Sequence, residues 1–406
     1  MIVRKLMPSD AAQARSVFAL GWEVAFAREE LENKNYLKDN CKPMERVSDG
    51  CAWGAFADDG TLSTTFDEKR HELRLDGGWY RSCGIGGVVT RPDMRRMGAV
   101  RACMQALFEH MREENIPFST LYPFEVPFYR MFGYEGIYRV CNISMPVRSL
   151  SRCRCDISRI SELGGKKTLP ELNRFYETTA GGMNMSLRRD ETLWSRVVNF
   201  EPCTAIKYTY LCRDGNGEIS GYMSFVPESA GGVKTMKVVE LLYGDVDALR
   251  NLLGFIHTFE AHYERVLFFN LPLGLDFYLM LDDYNSIVYE QRVFNMLRIG
   301  DAGAALAAKR YPEREGGFSI KISDTLDWNC GIYDVEFGGG ESRVTKRSSG
   351  DYDIAVDERA LARLVFGEEP LFSDAMRFVP NVEVAGNRKV LSEVFVKRPL
   401  LHYDFY

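Results

Sequence analysis

Arg91-Pro92-Asp93-Met94-Arg95-Arg96-Met97-Gly98-Ala99-Val100-Arg101 stands between a β-rich stretch, Cys83 to Thr90, and a segment of strong helical periodicity. From about Gly98 onward, Val100, Cys103, Met104, Leu107, Phe108 and Met111 recur at i, i+3, i+4, i+7, i+8 and i+11, one apolar helix face. The stretch therefore reads strand, turn, helix. Its four arginines and one aspartate give a local charge of 4 − 1 = +3. The first N–H groups of a helix lack intrahelical partners, and with the macrodipole they form an anion site. Gly98 has no Cβ to keep a phosphate from that backbone, and arginines add charge-assisted bonds. The spacing is neither that of a Walker A loop nor that of a Rossmann fingerprint. A solvated basic turn is the competing reading of the same residues.

Working outward, Ser9-Asp10 opens an amphipathic helix through Phe18, Trp22 and Phe26, and Trp53–Phe56 with the Asp58-Asp59-Gly60 turn reads as a hairpin. Beyond the arginine-rich turn and its helix lie a strand near Ser119–Tyr122 and a short aromatic helix ending at Gly133. The same grammar returns more faintly over about 150–295. Tyr208–Cys212 and Ile219–Val226 flank an Asp214-Gly215-Asn216-Gly217 turn, a hairpin. Val238–Tyr243 follows as a strand, Asp245–Glu264 as a helix and Val266–Asn270 as a strand. At the matching turn, Asp245 and Asp247 stand where the first segment has arginines, and they would repel a pyrophosphate. From about Gly300 the pattern is α+β: a short Ala-rich helix, strands from Phe318 onward, and a helix capped by Asp357.

The chain has 406 residues, enough for two or three domains, and 46% hydrophobic with 27% charged residues is ordinary for a globular protein. Its net charge of 51 − 57 = −6 argues against general nucleic-acid binding, which needs a basic surface, and favours cationic small molecules. No apolar run reaches about 18 residues and no signal-peptide stretch opens the sequence. The expectation is a cytoplasmic protein without a membrane partner. Ten cysteines form no C-x-x-C pair, and the five histidines form no H-E-x-x-H. Reduced thiols and no metal are expected.

The pattern strand, R-R-x-G-x-x-R, amphipathic helix, strand resembles the acetyl-CoA motif of the GNAT acetyltransferase superfamily. Leu121-Tyr122-Pro123-Phe124-Glu125-Val126-Pro127-Phe128-Tyr129-Arg130-Met131-Phe132-Gly133-Tyr134 resembles something narrower, the S-E-x-x-x-Y-x-x-F-G-Y-like signature of the enhanced-intracellular-survival (Eis-type) acetyltransferases. Phe124 replaces a small residue of that signature, while Glu125, Tyr129 and Phe132-Gly133-Tyr134 fit it. The resemblance implies an α/β (α+β) fold class: tandem GNAT domains, 1–148 catalytic and 149–296 degenerate, then a sterol-carrier-like domain over 297–406 that delivers the C-terminus. It implies acetyl-CoA as cosubstrate, direct attack by a primary amine of an aminoglycoside- or polyamine-like acceptor, and a homo-oligomer, in relatives a hexamer. Carried onto these residues, Val88, Val89 and Thr90 pair with the pantetheine and polarise the thioester carbonyl. Arg95, Arg96, Met97, Gly98, Ala99, Val100 and Arg101 hold the pyrophosphate, and Phe124 and Glu125 form the opposite wall. Tyr129 is the general acid, a phenol protonated at neutral pH.

The chain closes on Leu400-Leu401-His402-Tyr403-Asp404-Phe405-Tyr406, apolar and aromatic where a free tail would be polar. The resemblance implies that the α-carboxylate of Tyr406 is the base toward the acceptor. Trp22, Phe26 and Asp404 are expected to offer a cation an acidic, aromatic pocket. Two rival readings stay open: another acyl or aminoacyl transfer on a tandem GNAT frame, and a CoA- or ligand-binding protein without turnover.

Overall fold

In the computed structural model the segment after Gly98 is a helix, Ala99–Glu113, and it buries Cys103, Met104, Leu107, Phe108 and Met111 as the periodicity predicts. The structure describes residues 1–406 apart from 41, 43–48, 202–203, 274–276, 282–284 and 405–406. The described chain forms two units, residues 1–137 with 295–399, and residues 138–294 with the tail from Leu400. The sequence reading divides the chain at 148/149 and 296/297.

The first unit begins with strands β1 (Ile2–Lys5), β2 (Gly50–Phe56), β3 (Leu62–Leu75), β4 (Gly78–Thr90) and β5 (Phe118–Leu121). Helices α1 (Ala11–Trp22), α2 (Arg28–Glu32), α3 (Ala99–Glu113) and α4 (Val126–Arg130) accompany them. β1 to β4 pair antiparallel in order, and β5 joins β4 parallel, with α3 as the crossover. The apolar face of α3 packs with Trp53, Phe66, Cys83 and Ile85 in one core cluster. Ala11, Ala14 and Val17 of α1 pack with Phe56, Leu62 and Val89 in another. The predicted helix through Phe26 stops short, because Glu23 turns left-handed at φ 56°. Asp10 does not cap it; its carboxylate binds Arg4 at 2.7 and 3.0 Å.

The second unit holds β6 (Glu135–Pro146, from Tyr138 on), β7 (Ile160–Glu162), β8 (Tyr208–Arg213), β9 (Ile219–Ala230), β10 (Val233–Tyr243) and β11 (Arg265–Pro272) in the order β6-β11-β10-β9-β8-β7. Among the described strands of this unit only β10 and β11 are parallel. Its helices are α5 (Leu169–Thr179), α6 (Glu191–Val197) and α7 (Val246–His257). The expected helix to Glu264 ends at His257. Successive turns then bring the rings of Phe259 and Tyr263 within 6.1 and 6.3 Å of Phe225.

β12 (Val288–Ile299) returns the chain to the first unit, where Met296–Ile299 pair antiparallel with β5. There α8 (Ala302–Ala308), β13 (Gly316–Ser323), β14 (Gly331–Gly338), β15 (Glu341–Arg347), β16 (Ile354–Asp357), α9 (Glu358–Phe366), β17 (Val382–Val384) and α10 (Arg388–Val394) follow, with sheet order β15-β14-β13-β16-β17. Asp357 caps α9 as expected, accepting from Arg359 and Ala360 N–H at 3.1 and 2.8 Å. Buried Arg298 pairs with Asp324 at 3.0 Å, and the Phe118 and Phe366 rings meet edge on at 5.2 Å. No described helix is long and apolar enough to cross a membrane. The eight described cysteines are all free thiols, and no described His, Cys, Asp and Glu side chains gather as a metal site.

Candidate active site

The pairing of β4 with β5 ends at Ile85 and Leu121, but β4 runs on to Thr90. Its register against β3 shifts between Val89 and Gly86, where β4 carries one extra residue, a bulge. Gly87 takes φ 58° there, and a Cβ on it would meet Asp67 Oδ2 at 3.3 Å. A bulge bends a strand, and this one bends β4 where the chain after β5 turns away into α4. The opening is a cleft of about 790 Å3 lined by Gly21, Trp22, Val88, Val89, Thr90, Met94, Arg95, Arg96, Gly98, Ala99, Val100, Arg101, Phe124, Phe128, Met131 and Phe132.

One end of the cleft is the N-terminus of α3. Gly98 is its N-cap at φ 83° and ψ 4°, and no side chain caps the helix. A Cβ on Gly98 would meet nothing within 4 Å, so the space beside this cap is open. Arg96, two residues earlier, also has positive φ, 64°. Left-handed residues interspersed in such a turn make concave backbone sites that suit anions, and a non-glycine residue in that region is a strained one that clusters at functional sites. Arg91 is committed to Asp93, with Nε and Nη2 at 3.1 and 2.9 Å, and that contact holds the Asp93 carboxyl below the usual range. Arg95 and Arg96 make no ion pair among the described residues, and Arg101 sits 5.8 Å from the Phe132 ring centre. These groups fit a diphosphate: uncapped amides and free guanidinium charge at one end, an unpaired strand edge along the side.

The second unit repeats the topology without the anion site. β10 shifts register between Val238 and Glu240, as β4 does. Asp245, however, accepts from the Ala248 N–H of α7 at 2.7 Å, so a carboxylate of the chain already occupies that helix N-terminus.

Of the residues expected at the cosubstrate, Val88, Val89, Thr90, Arg95, Arg96, Gly98, Ala99, Val100, Arg101 and Phe124 line one cleft. Met97 and Glu125 do not; both point to solvent, and Glu125 serves as N-cap of α4 through its backbone alone. Tyr129 lies one ring behind the wall, 3% exposed, with its ring 5.4 Å from Phe124 and 5.2 Å from Phe128. Burial pushes its phenol up to about 12. Tyr134 is committed elsewhere, its hydroxyl 2.7 Å from Ser119 Oγ. Trp22 lines the cleft, whereas Phe26 packs on Phe18 at 6.1 Å. Asp404 is a correction to the expected cationic pocket. It is 2% exposed in the second unit, with its carboxylate on Arg189 Nε at 2.7 Å, because the apolar tail carries it into that core. Tyr406 lies outside the described residues. Gly21, Met94, Phe128, Met131 and Phe132 line the cleft unforeseen. The i, i+3, i+4 spacing of the last three was the available signal; Gly21 had none, although a Cβ on it would strike Val89 at 1.9 Å.

The family of both sheet-and-helix domains is that of the GNAT acyltransferases. Residues 3–137 match the acetyltransferase (GNAT) domain family, residues 185–299 a second acetyltransferase (GNAT) domain family, and residues 302–397 the sterol carrier protein domain family. The chain is a tandem-GNAT acetyltransferase with a sterol-carrier-like third domain, and its architecture is Eis-type. Eis1 from Mycobacterium abscessus superposes with TM-score 0.77 at 20% identity, covering 98% of this chain and 99% of that one. A GCN5-related N-acetyltransferase from Anabaena variabilis gives 0.81 at 20% identity over all of both chains. A conserved protein of unknown function from Enterococcus faecalis, a probable N-acyltransferase, gives 0.81 at 18% identity over 98% of each. No curated protein matches the chain.

Proposed function

We propose that the chain is an acetyl-CoA-dependent N-acetyltransferase acting on a primary amine of a small cationic acceptor, with its working site in the N-terminal domain. The observation that carries this reading is the bulged β4 edge leading to the uncapped α3 N-terminus beside Arg95, Arg96 and Arg101. Acetyl-CoA, bound there, supplies an activated acetyl thioester. The backbone of Val88 to Thr90 orients and polarises the acyl carbonyl. Tyr129 holds the proton that the departing thiolate needs, and its raised pKa keeps it protonated at neutral pH. The α-carboxylate of Tyr406 is the base toward the acceptor. An ordinary terminal carboxyl has a pKa of about 3.5, so it must be desolvated or act through a water. Trp22 at the cleft offers an aromatic face to a cation, and the net charge of −6 favours its approach.

The test is steady-state thiol release from acetyl-CoA against a panel of amines, with the full chain and with a variant lacking Tyr406. Release that depends on a polycationic amine and collapses on truncation, with thermal stability retained, supports both the reaction and the base. Release unaffected by truncation removes the tail from the mechanism. Acetyl-CoA binding without release for any amine would favour the non-catalytic reading.

A further inference from the structure

The bulge in β4 has a carboxylate of β3 standing over it. Asp67 pairs in register with Gly86 of β4 on one side and with Ala52 of β2 on the other. Residues directly opposite in a sheet share a face, and Ala52 belongs with Val89 to the core cluster under α1. Asp67 is therefore on the α1 face, where β4 bends. Gly87 leaves the room that its side chain uses, since a Cβ there would meet Asp67 Oδ2 at 3.3 Å and Cγ at 3.7 Å. Consecutive Cα atoms are about 3.8 Å apart, so this carboxylate stands within about 9 Å of Val88 Cα. Val88 is the first of the three residues read as orienting the acyl carbonyl.

The neighbouring carboxylate is placed quite differently. Glu68 faces α3, fully buried, and accepts from Trp53 Nε1 at 2.9 Å and Cys51 Sγ at 3.3 Å, with His110 Nε2 at 3.5 Å. Asp67 has no such company. Among the described residues its one ion pair is with Lys69 Nζ at 3.8 Å, too long for a hydrogen bond. Its side chain is 35% exposed, open enough for a ligand to reach. Burial lifts its carboxyl above the usual range, and Lys69 offsets only part of that. Aspartate is disfavoured in strands, and a desolvated carboxylate with one loose cation gains from a second.

We propose that Asp67 binds the acceptor: its carboxylate receives one ammonium of a diamine or polyamine while another amine of the same molecule meets the acetyl group at the bulge. Trp22, which ends α1 and lines the cleft, adds an aromatic wall. The acidic partner that Asp404 does not provide then comes from β3. This rests on the reading of the cleft as the acetyl-CoA site.

The experiment measures kcat and KM for acetyl-CoA, putrescine and butylamine with wild type, Asp67→Asn and Lys69→Met, and thermal unfolding of each. Asp67→Asn should raise the putrescine KM by roughly tenfold or more, the scale of one hydrogen bond to a charged group. The KM values for butylamine and acetyl-CoA should not change. Because its surroundings disfavour the Asp67 charge, the neutral amide should unfold no earlier than wild type. Lys69→Met removes the competing cation and should lower the putrescine KM. An unchanged putrescine KM in Asp67→Asn overturns the anchor, and so does a rise shared equally by butylamine. A fall in kcat with both amines at unchanged KM overturns it in favour of a base acting on the reacting amine. Should Asp67→Asn fail to fold, Lys69→Met decides, and an unchanged putrescine KM there overturns the proposal. If wild type binds acetyl-CoA but acetylates neither amine, the cationic acceptor falls and the anchor with it. If it binds no acetyl-CoA, the reading of the cleft itself is wrong.

Discussion

Gly98→Asp separates the proposed phosphate cradle from the fold that carries it. Gly98 has φ 83° and ψ 4°, and an added Cβ meets no atom within 4 Å. Steric cost therefore comes from the backbone alone. For alanine it is roughly 1–2 kcal/mol, and less for aspartate, which visits the left-handed region by local hydrogen bonding. An aspartate at a helix N-terminus also regains stability from the dipole and the free amides. The ligand-free protein should thus unfold within about 4 °C of wild type. The cosubstrate meets a different situation. A carboxylate about 4 Å from a phosphate charge, at an effective dielectric of about 20, repels it by about 4 kcal/mol. That is close to a thousandfold in affinity. The second domain already carries this chemistry, since Asp245 occupies the N-terminus of α7. Calorimetric titration with acetyl-CoA and thermal unfolding without it give the two numbers. Gly98→Ala, strained but uncharged, should show the opposite balance, a larger loss of stability and a smaller loss of affinity. If Gly98→Asp bound acetyl-CoA within a few fold of wild type, the anion site would not be at this helix end.

Three further outcomes follow from named contacts. Tyr129→Phe should lower kcat by about 10²–10⁴ with acetyl-CoA affinity retained, and because burial raises the phenol to about 12, the wild-type kcat profile should show no alkaline loss from this group below about pH 11. Buried His402 has its pKa lowered from 6.5 to about 4, so its contribution is complete above pH 6.5 and is lost as pH falls toward 4; unfolding between those limits should lose on the order of 3 kcal/mol, a slope that His402→Leu should flatten. Gly133→Ala places a Cβ 2.7 Å from Arg298 Nε and 2.8 Å from Glu358 Cγ at φ 77°; denaturant unfolding should show a loss of roughly 2 kcal/mol or more.

The arginine-rich turn was legible because its chemistry is local: a charge run, a glycine and a helical face in one stretch. The same holds for α3 and for the Asp357 cap, each decided within a few residues. The bulge at Gly87 was not legible, since register is a relation between β3 and β4 that neither strand states alone. Phe26 was misjudged because a helix phase was extended past Glu23, whose left-handed turn leaves no apolar signature. Asp404 misled for a related reason. Its charge pointed to solvent or ligand, and only the fold brings Arg189, more than two hundred positions away, to neutralise it.

The most direct test of the central claim is the stoichiometry of one reaction: acetyl-CoA and a polyamine with the full chain, following free thiol and acetylated amine together. The account predicts amine-dependent thiol release that saturates in both substrates, with one acetylated nitrogen for each thiol. Thiol release that ignores the amine, or tight acetyl-CoA binding with no acetylated product, would contradict it.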